Sequence, residues 1–436
     1  MLPASLATLT RQLEIYHSAK NEVFKTQNSN LKPQNLVILT SGTRGDVQPL
    51  VALGLRYANA GHSVRVVTQP AFRELVEQRG LGFAALAATP SDAFSIVGQD
   101  ALVLGRNPLR TLIASMRYMQ VARPLFAAML ESAWQQARQA QQLILTLPTM
   151  AWGLSIAEAL SCPCTTVLLQ PLGPTRAFPS PLLPFAHDLG SANRLSHSLT
   201  ASLLWRPWQA HINHWRRRTL GLPALPASGP AMFNSLSNKL CYAYSPQVLP
   251  KPQDWPAHAH VSGYCFLDAP AGWQPPNETL RFLASGPPPV YVGFGSMGQR
   301  RPDLAVLMVR ALRSLGLRGV LALAQPLPDA LCGPDMHSCG EIWHDWLFPQ
   351  LAAVIHHGGA GTTGAVLRAG IPAVIAPIAV DQFFWARRIQ ELGVGCSAGP
   401  LRTLTHKRLV AALRLALSEH VRRESAAFAT QLIADS

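Results

Sequence analysis

Leu36-Val37-Ile38-Leu39-Thr40 is a short apolar run and reads as a buried strand. A glycine-bearing loop follows, Ser41-Gly42-Thr43-Arg44-Gly45-Asp46. From Pro49 to about Ala60, Leu50, Leu53, Leu55 and Tyr57 mark a helix that Gly61 closes, and Val64–Thr68 is a second strand. Strand, helix, strand in that order predicts a parallel sheet. Phe72–Arg79 continues the alternation as another helix. Asn107–Leu220 reads as mostly helical with proline interruptions. Within it, Leu143–Gln170 is the most apolar long stretch, but Pro148, Gly153 and Pro163 break it into strand, loop, helix and strand. Pro171–Pro184 is a proline-rich loop, either the wall of a binding cleft or plain surface. Lys239–Ala243 and Ala259–Gly263 are strand-like.

The composition shifts at Asp268, and Pro, Gly and Ala dominate as far as Pro289. A new series then starts at Val290-Tyr291-Val292, with strands at Gly319–Ala324, Ala353–His356 and Ala373–Ile375. The expected organisation is an appended segment 1–34, a first domain 35–262, a linker 263–289 and a second domain 290–436. The fold class is α/β, with two Rossmann-like doubly wound domains. Ligands of such sheets bind outside the carboxyl ends of the strands. Two facing domains would place those ends across a cleft.

Composition narrows the class. The chain has 436 residues, 48% hydrophobic and 14% charged, which suits two buried cores and not a disordered protein. A net charge of +14 favours anionic partners: nucleotides, nucleic acid or an acidic membrane. Nucleic acid is set aside, because no zinc-finger spacing, basic zipper or long cationic run is present. The densest cationic stretch is Trp215-Arg216-Arg217-Arg218. Seven scattered cysteines argue against a disulfide framework, and no second ligand pair joins Cys332, His337 and Cys339 into a zinc site. No secretory signal pattern opens the chain, so the expectation is a cytoplasmic protein, with contact at a membrane surface as a further option.

Three glycine-bearing turns carry the chemistry. In Ala353-Val-Ile-His-His-Gly-Gly-Ala-Gly-Thr-Thr a strand runs into glycines that open a helix, and Gly370 with Pro372 ends it. Exposed amides and the helix dipole there suit a diphosphate. His357 would donate to a phosphate oxygen and help neutralise the leaving group. Thr362 and Thr363 would add hydroxyls. His356 points to the opposite face and the pair does not form a metal site. Gly293-Phe-Gly295-Ser296-Met-Gly298 matches a dinucleotide fingerprint, but Leu315–Ala324 holds no acid for a ribose. An NAD-dependent oxidoreductase therefore stays as an alternative, and Ser296 and the Gly295 amide remain phosphate candidates. Asp46 is either a helix N-cap or a general base. Asp381-Gln382 suits paired sugar hydroxyls or is again a cap. Trp346, in His344-Asp345-Trp346, would meet a base ring. His62 reads as structural.

Together these residues resemble the inverting nucleotide-sugar glycosyltransferases of GT-B architecture, nearest the branch of sterol glucosyltransferases and antibiotic glycosyltransferases. The resemblance rests on SGTRGDVQP at Ser41–Pro49, PVYVGFGSM at Pro289–Met297, HDWLFP at His344–Pro349, HHGGAGTT at His356–Thr363, and Asp381-Gln382. It covers roughly residues 35–430. It implies transfer of a hexose from a UDP- or TDP-sugar to a hydroxyl of a lipophilic small molecule, with inversion and without cofactor or metal. It implies Asp46 as general base. On the donor it implies Ser41, Gly42, Thr43, Arg44, Gly295, Ser296, His357, Gly358, Gly359, Gly361, Thr362, Asp381 and Gln382, with Trp346 at the base. A nucleotide-sugar binding protein without catalysis is the second alternative. Where plant relatives carry a ribose-binding Glu this chain has Ala365, which leaves UDP and TDP both open. Ser436 comes early for the family's final helices, and residues 1–34 precede its usual start.

Overall fold

The structure, a computed structural model, describes residues 33–87, 108–183, 188–230, 233, 238–295, 303–323 and 327–434. The expected extension, apart from Pro33 and Gln34, lies outside them, as do Ser296 and Gly298.

The chain divides into two compact units, one formed by 33–243 with 251–267, the other holding 244–250 and 268 onward. The first unit carries β1 (Asn35–Leu39), α1 (Arg44–Asn59), β2 (Ser63–Thr68), α2 (Arg73–Glu77), β3 (Gly82–Ala85), α3 (Pro108–Ala137), β4 (Gln142–Thr146), α4 (Leu147–Leu160), β5 (Cys164–Leu168), α5 (Asn193–Trp205), α6 (Gln209–Trp215), β6 (Asn238–Tyr242) and β7 (Ala259–Val261). Its sheet is parallel, in the order β3-β2-β1-β4-β5-β6-β7. Leu36 to Leu39 are all buried, as a strand covered by helices on both faces requires.

The second unit carries α7 (Asn277–Ala284), β8 (Val290–Gly293), α8 (Leu304–Arg313), β9 (Gly319–Ala322), β10 (Met336–Ser338), α9 (His344–Leu347), β11 (Ala353–His356), α10 (Ala360–Ala369), β12 (Ala373–Ile375), α11 (Gln382–Glu391), β13 (Gly395–Ser397), α12 (His406–Ala416) and α13 (Glu419–Ala434). Its parallel sheet runs β10-β9-β8-β11-β12-β13. Both orders repeat the doubly wound plan. The switch point falls between β1 and β4 in one sheet and between β8 and β11 in the other.

Three local expectations change. α1 begins at Arg44, not Pro49, because Thr43 and Asp46 form a capping box ahead of the first apolar turn. Asp46 is thus the third residue of the helix and not its cap. No loop separates β4 from α4, since Thr146 ends the strand and caps the helix, with Pro148 in its first turn. The proline-rich stretch from Pro171 is largely buried, not plain surface. Its prolines lack N–H groups, and two of its carbonyls turn to α5, where His197 bonds the Leu172 and Phe178 oxygens at 3.2 and 3.0 Å. Ser196 accepts the Ser180 amide at 2.8 Å, and Thr175 with Arg176 binds Asp254.

Inside the stretch expected as a linker, α7 packs into the second unit through Phe282 stacked on His337 at 5.2 Å and Thr279 bonded to the same ring at 2.9 Å. Tyr244–Pro250 also joins this unit. Tyr244 meets the edge of Trp385 at 5.6 Å, and the Val248 carbonyl accepts Arg388 Nε. The cationic run splits as well. Arg216 is buried and forked onto Glu158 at 2.8 and 3.2 Å, with further bonds to Ser155 and Pro223, while Arg217 and Arg218 stay exposed.

Candidate active site

The expected residues fall into two groups, one after the carboxyl ends of the strands of each sheet. In the first unit the chain leaves β1 through Thr40 and Ser41, both buried, and turns at Gly42. Gly42 has φ +133°, and a Cβ there would overlap the Asp46 carboxylate, so only glycine fits. The Gln69 side-chain amide clamps Gly42, donating to its carbonyl at 2.9 Å and accepting its N–H at 3.3 Å. Asp46 Oδ2 accepts the Thr43 amide at 2.7 Å and the Thr43 hydroxyl at 3.0 Å. Asp46 Oδ1 accepts no hydrogen bond among the described residues. Burial raises the Asp46 pKa, and the two Thr43 bonds offset part of that. Arg44 bonds Gln48 at 3.1 Å. Thr149 donates to the Leu39 carbonyl at 2.8 Å, and Thr146 reaches Thr40 at 3.4 Å, tying α4 to the end of β1.

In the second unit, β8 and β11 are paired so that Gly293 lies beside His356. His356 is fully buried and its Nδ1 accepts the Gly358 amide at 3.1 Å. His357 turns the other way. Its Nε2 would stand 2.6 Å from a Cβ on Gly359, and its Cε1 3.9 Å from one on Gly295, so the ring lies over the start of α10 with the β8 loop beside it. Gly359 is the N-cap and offers no side chain to the helix amides. Thr363 N bonds the Gly359 carbonyl, so the amides of Ala360, Gly361 and Thr362 precede the first intrahelical bond. Gly361 is exposed, and a Cβ there would meet nothing within 4 Å. This is an anion site in form.

Two expectations are corrected here. Thr363 is fully buried and its hydroxyl turns inward, which leaves Thr362 as the accessible hydroxyl. Burial lowers the His357 pKa to about 4, so the imidazole is neutral at pH 7. It would serve as an N–H donor and not as a standing positive charge. The helix dipole and amides then carry the attraction for an anion.

Gly358 packs against the Ile375 side chain and the Gln382 backbone, which brings the glycine turn together with Asp381-Gln382. Asp381 takes the cap position of α11, but its Oδ2 accepts the Trp385 indole N–H at 3.0 Å instead of a helix amide. Gln382 Oε1 accepts the Ile378 and Ala379 amides at 2.7 and 3.1 Å, fixing the loop after β12. That loop holds Val380 at φ +56°, which a β-branched residue adopts only under strain.

Trp346 meets Trp273 edge to face at 5.6 Å. Trp273 was hidden in the supposed linker. Asp345 accepts the Ala269 amide at 3.1 Å, and Asp268 pairs with Arg368 of α10 at 2.7 Å. These three contacts strap 268–273 onto the second unit. Burial raises the Asp345 pKa, and neighbouring Asp268 adds to it. His344 stacks on Phe348 at 4.2 Å. Gln69, Trp273, Arg368 and Trp385 had no sequence signal, since each acts through a residue far from it or through a turn.

Comparison with known proteins fits this geometry. Residues 36–179 match the N-terminal domain of glycosyltransferase family 28, and residues 334–435 match the C-terminal domain of the erythromycin biosynthesis protein CIII-like family. A sterol 3-beta-glucosyltransferase of Arabidopsis thaliana is 32% identical over 404 residues, covering 89% of this chain and 64% of the relative. One from Pichia angusta is 32% identical over 407 residues, covering 89% and 31%. The chain thus spans less than two thirds of either relative. A solved glycosyltransferase of kitacinnamycin superposes with TM-score 0.66 at 17% identity, covering 93% of this chain and 96% of that one. The glycosyltransferase VinC, solved in complex with dTDP, gives 0.63 at 19%, covering 92% and 96%. The passage from β8 to Gly295 therefore lies in a GT-B fold. The chain has the GT-B fold, and its segments 36–179 and 334–435 are similar to domains of two glycosyltransferase families.

Proposed function

We propose that this protein transfers a hexose from a UDP- or TDP-sugar to a hydroxyl of a lipophilic small molecule, a sterol or a polyketide-like metabolite, with inversion. The observation that carries the reading is the half-satisfied carboxylate of Asp46. Oδ2 is held by Thr43, while Oδ1 is left to take a proton from the acceptor hydroxyl. Its raised pKa makes it a stronger base than a solvated carboxylate. As the acceptor oxygen attacks the anomeric carbon, the bond to the diphosphate breaks. The leaving oxygen's charge is met by the Gly361 and Thr362 amides, the Thr362 hydroxyl and an N–H of His357. Asp381 and Gln382 hold the sugar, Trp346 the base, and Gly295 flanks the phosphates. Ser41, Gly42, Thr43 and Arg44 shape the Asp46 loop.

The sterol relatives support the acceptor class, and the dTDP complex of VinC supports the donor class. We place the reaction in the cytoplasm, at a membrane surface where a lipophilic acceptor collects. Among the described residues no helix is long and apolar enough to cross a membrane.

Asp46→Asn tests the base. The Asn oxygen still accepts the Thr43 amide, so the fold stays. Turnover should fall about a hundred- to ten-thousandfold with UDP or TDP affinity unchanged. Unchanged turnover removes Asp46 from the mechanism. Nucleotide-sugar binding without turnover in the parent protein would leave only a binding protein.

A further inference from the structure

α5 is amphipathic the wrong way round for a water-facing helix. Its buried positions are Asn193, Ser196, His197, Thr200 and Trp205, four of them polar. They are spent on the proline-rich loop: Asn193 bonds the Arg176 carbonyl at 2.9 Å, and Thr200 bonds Ser180 at 2.8 Å. The opposite face presents Leu195 at 70% exposure, Leu199 at 54% and Leu203 at 61%. The four-residue spacing puts these three in one row, and Leu204 and Leu189 are also exposed. Isolated exposed leucines need no explanation, but a helical row of them does.

The surrounding charge points to what covers the row. Arg194, Arg206, Arg217 and Arg218 are exposed, and no Asp or Glu occurs between Asp188 and Asp254. Arg194 is within electrostatic reach of Asp254, while Arg206 is the C-cap of α5 and Arg217 and Arg218 follow α6 in the chain. A second copy meeting this face about a twofold axis would bring arginines against arginines with no acid from this stretch between them. An acidic lipid surface takes both parts: acyl chains for the leucines, headgroups for the arginines.

We propose that α5 lies in the plane of an anionic bilayer, with Leu195, Leu199 and Leu203 in the acyl boundary and Arg206, Arg217 and Arg218 on the headgroups. This rests on the membrane-surface reading above and narrows it to one face. The test is cosedimentation of the full chain with phosphatidylcholine vesicles, with and without phosphatidylglycerol. The parent protein should bind the acidic vesicles. Leu195→Ser/Leu199→Ser/Leu203→Ser should weaken that binding by about a hundredfold or more. Arg206→Gln/Arg217→Gln/Arg218→Gln should lose about fivefold per arginine, on acidic vesicles alone. All six side chains are exposed, and unchanged UDP affinity in both variants shows that the fold is kept. If the parent protein binds no vesicle, the membrane reading itself fails. If it binds and the leucine variant binds equally, only the assignment to α5 fails. A dimer that the leucine variant dissociates, seen by sedimentation velocity, would give the face to a second copy and overturn the proposal.

Discussion

Replacing Gly359 by alanine places one methyl group under the His357 imidazole. Gly359 sits at φ −61° and ψ 141°, which alanine adopts freely, so the backbone is not strained. The new Cβ would lie 2.6 Å from Nε2 and 3.4 and 3.5 Å from the ring carbons. Restoring ordinary contact moves the ring tip by about 1 Å. A hydrogen bond from that nitrogen to a charged phosphate oxygen is worth about 1.5–3 kcal/mol, so its loss weakens nucleotide binding by about 10- to 150-fold. The fold should lose only about 1 kcal/mol, the cost of alanine at an N-cap. Titration calorimetry with UDP and TDP on Gly359→Ala, His357→Ala and the double variant closes a cycle. Once His357 is gone the methyl group has nothing to displace, so the second substitution should be nearly silent. Parent-like affinity in Gly359→Ala would remove the imidazole from the donor site. An equal loss in both backgrounds would mean that the methyl group blocks the anion directly, and the steric account of His357 would be wrong.

Three further outcomes follow from the structure. His357 has a folded pKa of about 4 against an ordinary 6.5, and burial lowers His356 as well, so the unfolded chain binds more protons between pH 6.5 and 4. The stability is complete above pH 6.5 and is lost as pH falls toward 4, by about 3 kcal/mol at most from His357; urea midpoints should show a shallower acid loss in His357→Asn. Gly42→Ala should cost about 1–3 kcal/mol and lower turnover with UDP affinity kept, because the methyl group overlaps the Asp46 carboxylate; parent-like kinetics would show that the loop yields freely. Arg216→Ala should cost about 3 kcal/mol in urea unfolding, whereas Arg217→Ala and Arg218→Ala should each stay within about 0.5 kcal/mol; three equal effects would contradict the buried fork onto Glu158.

What the sequence disclosed depended on whether its signal was local. β11 and β12 are read to the residue, since an unbroken apolar run has one interpretation beside a glycine turn. The start of α1 is missed because its first turn, Arg44-Gly45-Asp46, is polar and is held by a cap that apolar periodicity ignores. The glycine turn with His357 is visible, yet the state of the imidazole is not, because burial by distant residues sets it. In α5 the periodic leucines would be assigned to the core by any reading of hydrophobicity. Only the carbonyls of the proline-rich loop explain why the polar face turned inward.

The return of Tyr244–Pro250 to the second unit bears on how this protein can be recombined. The chain passes between its units after Ala243, after Pro250 and after Leu267, so no single splice point separates them. A chimera joined within 268–289 would inherit its partner's version of those seven residues, facing this protein's Trp385 and Arg388. Exchange of the first unit between relatives should therefore carry Tyr244–Pro250 with the recipient half, as a small graft across the seam.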